Sequence, residues 1–242
     1  MKLLVSVTSR EEALEAIKGG AHVIDVKNPR EGSLGANFPR VIRQVRDVVP
    51  KGVEVSATIG DLPNLPGTAS LAALGAAVSG ADYVKAGLFG VKTPADAATL
   101  LSEVCRAVKE RDAAVRVIAA GYADFEMVGC LNPLKLPEIA FEAEADGVMI
   151  DVNVKTHGKL FDLLSRGELM EFVNNSHDCG LLTALAGSLD MGDIPTMIEL
   201  GADIMGVRRA VCRERDRLKG GVHSGAVREF VDAINCYQWA KR

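Results

Sequence analysis

Aromatic side chains are scarce in this sequence, 5% of 242 residues, so Ala, Val, Ile and Leu must fill whatever core it builds. Charge of one sign is not in excess. With 28 basic residues against 32 acidic ones, a formal net charge of −4 and no run of like charge, nothing offers a nucleic acid a footprint. Metal-ligand spacings are missing too. His22, His157, His177 and His223 are scattered, with no H-x-x-x-H and no H-E-x-x-H, so no metal centre is expected. The five cysteines (Cys105, Cys130, Cys179, Cys212, Cys236) are odd in number and widely spaced, without a C-x-x-C. They are expected to be reduced and mostly buried. No P-loop and no G-x-S-x-G elbow occurs, which removes two common signatures of nucleotide and serine-hydrolase chemistry. Long hydrophobic runs are absent as well. The apolar start meets Arg10, Glu11 and Glu12 at once, which fits neither a signal-peptide core nor a membrane helix, so a cytoplasmic protein without membrane partners is expected.

What is present is an alternation. Short runs rich in Val and Ile recur, each followed by a stretch with helical periodicity. Eight strands are predicted, at 3–7, 23–26, 53–58, 83–86, 115–119, 147–151, 182–185 and 204–207. Eight such units in 242 residues match the usual length of one (β/α)8 TIM barrel, a single α/β domain over 1–242. A doubly wound open sheet shares the alternation but favours a G-x-G-x-x-G after an early strand, and none is present. Thr8 or Ser9 opens the first helix with Glu12 as capping-box partner, and Gly19-Gly20 closes it. Pro94 and Asp96 open a helix that runs toward Arg111, and Val227, Phe230, Val231 and Ile234 recur at helical intervals after Gly225. GGAHVIDVKN at 19–28, SGADYVKAG at 79–87, EADGVMIDVN at 144–153 and LGADIMGVRR at 200–209 share one pattern and fall on every second strand. The acidic or polar residue before each strand is explained most simply by turn geometry. The residues at the far end of each strand are more informative.

Asp25 and Lys27 lie two apart at the end of the second strand, so both face inward if the strand persists that far. Lys85 and Asp151 stand at the ends of the fourth and sixth strands, and Lys155 follows Asp151 by four residues. Catalytic groups of barrels come from these C-terminal strand ends. Burial or a neighbouring cation disfavours the charged form of such a lysine and frees its amine to attack a carbonyl. The competing reading is an ionic network without chemistry. After the seventh and eighth strands, Gly187 and Ser188, then Gly206 and Arg208, fit the phosphate site of barrels through exposed amides and a charged fork. A tight turn and a solvated arginine would explain them as well. Tyr122 and Asp124, placed just after the fifth strand, are candidates for polar support at the mouth. The loops expected at 28–37 and 61–66 are candidates to cover bound substrate.

Four stretches, VIDVKNPREGSLGA (23–36), SATIGDLPNLPGT (56–68), ADYVKAGLFG (81–90) and DGVMIDVNVKTHGKLFDLL (146–164), resemble the (5-formylfuran-3-yl)methyl phosphate synthase family. The resemblance spans essentially the whole chain. It implies a lyase-type synthase that condenses two molecules of glyceraldehyde 3-phosphate into a furan aldehyde phosphate with loss of phosphate and water, toward methanofuran or methylofuran. On this resemblance Lys27 corresponds to an imine-forming lysine and Lys85 to a proton-transferring one, with Asp25, Asp151 and Lys155 as accompanying site residues. The amine supplies the electron sink, so no cofactor is expected. The expected partner is a triose phosphate, and a homo-oligomer is compatible with the composition. Another imine-forming sugar-phosphate aldolase and a non-catalytic phosphate-binding barrel are the competing functions.

Overall fold

In the computed structural model, which describes residues 1–216 and 218–240, eight parallel strands close on themselves in sequence order. They are β1 (Lys2–Val7), β2 (Val23–Val26), β3 (Glu54–Pro63), β4 (Tyr83–Gly90), β5 (Arg116–Tyr122), β6 (Gly147–Asp151), β7 (Leu182–Leu185) and β8 (Ile204–Val207). Around them run α1 (Arg10–Gly19), α2 (Pro39–Arg46), α3 (Pro66–Val78), α4 (Pro94–Arg111), α5 (Phe125–Val128), α6 (Leu136–Glu142), α7 (Leu160–Leu163), α8 (Arg166–Asp178), α9 (Ile194–Leu200) and α10 (Ser224–Ala240). The expected barrel is the observed one.

Three strands outrun their predicted ends. Gly60, Pro63, Gly87 and Gly90 read as breakers in the sequence, yet shifts of register near Asp61 let β3 and β4 stay paired as far as Pro63 and Gly90. The loop expected at 61–66 is therefore mostly strand and helix, with only Asn64 and Leu65 linking β3 to α3. Tyr122 is likewise the last residue of β5, not part of the loop beyond it, and it is fully buried. Gly87 is needed beside it, because a Cβ there would lie 2.5 Å from the Tyr122 hydroxyl.

Alternation along the strands sorts side chains into two cores. Val5, Ile24, Val55, Val84, Val117 and Ile150 face outward and pack under the helices, while Leu4, Val23, Ile118, Met149, Ala184 and Ile204 fill the barrel's centre. Toward the C-terminal ends the inward positions turn polar, with Ser6, Asp25, Lys85 and Asp151 all buried. At the other end Glu54 gathers the Lys2 ammonium at 2.6 Å, the Tyr83 hydroxyl at 2.9 Å and the Arg116 guanidinium.

The repeated acid does more than shape a turn. Asp82 accepts from the backbone N–H of Val55 at 2.7 Å, Asp146 from that of Val117 at 2.7 Å and Asp203 from that of Thr183 at 2.8 Å. His22, in the same place, accepts from Leu3 N–H at 3.0 Å. Each side chain gives the preceding strand an acceptor at its start. Asp82→Ala is expected to lower the unfolding free energy by about 1–3 kcal/mol, read in urea, with turnover per folded molecule unchanged. Capping agrees with the sequence in part: Ser9 is the N-cap of α1 and accepts from Glu12 N–H, but the Glu12 carboxylate reaches past the cap to Thr8 N–H at 2.7 Å rather than closing a box on Ser9. The cysteines depart from expectation. Cys105 and Cys212 are buried, Cys130 and Cys179 half-buried, and Cys236 exposed, because it falls on the solvent side of α10. No helix of the described residues is long and apolar enough to cross a membrane.

Candidate active site

The five ionic residues singled out in the sequence meet at the C-terminal mouth, in two tiers. In the lower tier Lys85 Nζ lies 2.7 Å from Asp25 Oδ1, and Ser6 donates to the other carboxylate oxygen at 2.9 Å. Burial pushes the Asp25 carboxyl up, but Lys85 and Lys27, with hydrogen bonds from Lys85 and Ser6, hold it below its ordinary value. Lys85 borders a small enclosed space with Ser56 and Met149 rather than the open cavity above.

The upper tier is built on Lys27 and Asp151. Lys27 comes directly after β2, and its N–H continues the ladder by donating to Val7 O at 3.0 Å, so the side chain keeps the inward direction of Asp25. Its Nζ donates to Ser33 O at 3.2 Å and stands 4.0 Å from Asp151 Oδ2. Burial is the largest influence on this amine and lowers it to about 8, against the attraction of Asp151 and Asp25 and with help from Lys155 and Lys85. Asp151 is buried too, which pushes its carboxyl up. Lys155 and Lys27, with hydrogen bonds from Lys155 and Val152 N–H, outweigh that and hold it well below the usual carboxylate range. Lys155 itself is held against Asp151 Oδ1 and Val152 O. Asp124 supports the turn that carries it, accepting from Asn153 N–H, Val154 N–H and His157 Nδ1.

Lys27, Asp151 and Lys155 line one side of a cavity of about 570 Å³ of empty space open to solvent, and Gly187, Ser188, Gly206, Arg208 and Arg209 line the other. Ser188 has φ 61, a strained value for a residue with a side chain, and such strain gathers at functional sites. Arg208 is less free than the sequence suggested. Its guanidinium donates to both carboxylate oxygens of Glu12, at 2.8 and 3.2 Å, and to Ser6 O at 2.9 Å.

A profile of the 4-HFC-P synthase family matches residues 3–231. A (5-formylfuran-3-yl)methyl phosphate synthase of Methanopyrus kandleri is 53% identical over 96% of this chain and 98% of its own. One of Methanocaldococcus jannaschii is 53% identical over 95% and 98%. The chain belongs to the 4-HFC-P synthase family. Solved barrels outside this synthase family share only the fold: a 3-hexulose-6-phosphate synthase superposes with TM-score 0.65 at 18% identity, over 95% of this chain and 99% of that one. KGPDC from Streptococcus mutans gives 0.67 at 13%, over 98% of each chain.

For this synthase-family barrel, sequence reasoning passed over three groups. Glu12 appeared only as a capping residue, yet it also holds Arg208. Asp61 appeared as part of a loop, yet Tyr122 O–H and Leu34 N–H both donate to it; burial raises its carboxyl, and Asp151 adds to that. Ser33 had no role assigned. The loop 28–37 does cover the mouth, but as a packed plug: Leu34 is fully buried among the inward side chains, and Thr58 Oγ1 donates to Gly35 O at 2.8 Å. Only the intact G-S-L-G run hinted at it.

Proposed function

We propose that the chain condenses two molecules of glyceraldehyde 3-phosphate through an imine on Lys27. The product is (5-formylfuran-3-yl)methyl phosphate, with loss of one phosphate and two waters, as a cytoplasmic carbon–oxygen lyase serving methanofuran or methylofuran synthesis. One observation carries this reading: the contrast between Lys27 and Lys85. Both are buried, but Lys85 lies 2.7 Å from a carboxylate oxygen, whereas Lys27 stands 4.0 Å from Asp151 Oδ2 and its amine faces the cavity. An amine lowered to about 8 is free base in roughly one molecule in ten at pH 7, against about one in three thousand for an unshifted lysine.

In this reading Lys27 Nζ adds to the aldehyde carbon, and the carbinolamine loses water as Lys155 protonates the departing hydroxyl. The iminium makes the neighbouring C–H acidic, and a carboxylate takes its proton, either Asp151 or Asp25 with its paired Lys85 ammonium as the proton relay. The enamine expels phosphate from the carbon β to the imine carbon, and the enol left at that end attacks the C2 carbonyl of a second triose phosphate that the same proton transfers have turned into its ketone isomer. A hydroxyl of the second triose closes on the first one's C2, two dehydrations complete the furan, and hydrolysis of the imine releases the aldehyde and returns Lys27. The amides at Gly187, Ser188 and Gly206 cradle a phosphate, and Arg208, held in place by its fork on Glu12, adds its positive charge beside them.

Borohydride trapping with glyceraldehyde 3-phosphate, then mass mapping, tests the imine. A triose adduct on Lys27 and a near-ultraviolet furan chromophore are expected; absence of the adduct sinks the imine, and only reversible aldol or isomerase products sink the synthase. Trapping should also speed up as pH rises through about 8 and then level, because the amine must shed its proton first. Arg208→Lys is expected to raise KM roughly tenfold with a smaller change in kcat, since lysine cannot reproduce the two-point hold on Glu12 that fixes the cation beside the phosphate.

A further inference from the structure

Ser33 has no part in the chemistry above, yet its carbonyl meets the amine and its hydroxyl the neighbouring acid. The plug between β2 and α2 holds it 2% exposed, and the two residues after it are fixed by Leu34 N–H on Asp61 and by Gly35 O, which accepts from Asn28 N–H at 2.8 Å. Its carbonyl accepts from Lys27 Nζ at 3.2 Å. Its hydroxyl shares one hydrogen between Val152 O, at 2.8 Å, and Asp151 Oδ2, at 3.2 Å. The other oxygen of Asp151 is occupied by Lys155 and by Val152 N–H. Asp151 Oδ2 therefore has two claimants, the Ser33 hydroxyl and the Lys27 amine, and the amine stands the farther off at 4.0 Å.

We propose that Ser33 is a positioning residue that keeps Lys27 nucleophilic by occupying Asp151 Oδ2 and holding the amine on its own carbonyl. A carbonyl orients an ammonium without neutralising it, whereas a carboxylate in direct contact favours the charged form. Without the hydroxyl, the buried Oδ2 loses a donor in a site where an unmet acceptor is costly, and the ammonium of Lys27 is the mobile donor within reach. Four charged groups face Lys27: Asp25 from β2, Lys85 from β4, and Asp151 and Lys155 from β6 and the turn after it. Ser33 touches only Asp151 among them, so its removal reads that one contact. The inference uses the proposed imine only in taking Lys27 as the amine in use.

The test is made on the protein without substrate. Wild type, Ser33→Ala and Ser33→Cys are labelled briefly with acetic anhydride across a pH series, and Lys27 is quantified by peptide mapping beside exposed Lys51. Both variants are expected to move the Lys27 midpoint up by about one pH unit, so that labelling at pH 7 slows roughly tenfold, with Lys51 unchanged. Ser33→Cys keeps the volume with a weaker donor, and it carries the reading if the alanine variant does not fold. An unmoved or lowered midpoint together with a lower Tm overturns the proposal, because Ser33 then only fills space. A shifted midpoint with no triose adduct in the wild type sinks the imine and leaves the role of Ser33 standing; an adduct without a shift does the reverse.

Discussion

Replacing Lys27 by methionine is expected to give a protein more stable than the wild type at neutral pH and unable to form an imine. Burial lowers the amine from 10.5 to about 8, which corresponds to roughly 3 kcal/mol of cost to the folded state wherever the amine is charged in both states. The sign comes from proton binding: between about pH 8 and 10.5 the unfolded chain binds the extra proton, so wild-type stability rises across that window. The methionine variant should lack that rise. Methionine fills the space of the lysine stem, and Asp151 keeps Lys155, Val152 N–H and Ser33 as partners, so no anion is stranded. The carbonyl of Ser33 does lose its donor, which returns part of the gain. A net increase of about 1–2 kcal/mol in urea at pH 7 is expected, with turnover down on the order of 10⁴-fold or more. A variant less stable than wild type, or one that still traps a triose at this position, contradicts the assignment.

The Asp25–Lys85 pair should behave in the opposite way. Lys85→Met leaves a fully buried carboxylate with Ser6 as its near partner, and loss of one member of a buried pair costs about 3–5 kcal/mol. Asp25→Val strands the ammonium instead and should cost as much. The double variant is expected to recover to within about 1 kcal/mol of wild type or better, because two charges no longer have to be taken out of water. Turnover should stay lost in all three, since the proton path beneath Lys27 is gone. Denaturation and turnover measured on the same samples separate the two effects. A double variant as unstable as the singles would mean that the pair is held by packing rather than by charge.

These contrasts show which parts of the site a one-dimensional reading can reach. Period-two alternation and the C-terminal placement of chemistry brought Asp25, Lys27, Lys85, Asp151 and Lys155 to one mouth, because strand direction fixes where such side chains point. The tiers were not legible. That Lys85 sits against Asp25 while Lys27 stands apart depends on the stagger between β2, β4 and β6, which spacing along the chain does not encode. Contacts across long separations were hidden for the same reason: Ser33 meets Asp151 across 118 residues and Arg208 meets Glu12 across 196. Local rules misjudged β3 and β4, where glycine and proline signal a turn and tertiary pairing carries the strands through them.

The barrel's centre holds a further consequence. The layer of Leu4, Val23, Ile118, Met149, Ala184 and Ile204 separates the cluster at the mouth from the network of Lys2, Glu54 and Arg116 at the opposite end. It acts as an insulator between two circuits. The charges that act on Lys27 all stand at the mouth, so substitutions of Lys2, Glu54 or Arg116 are expected to change stability without detuning that amine.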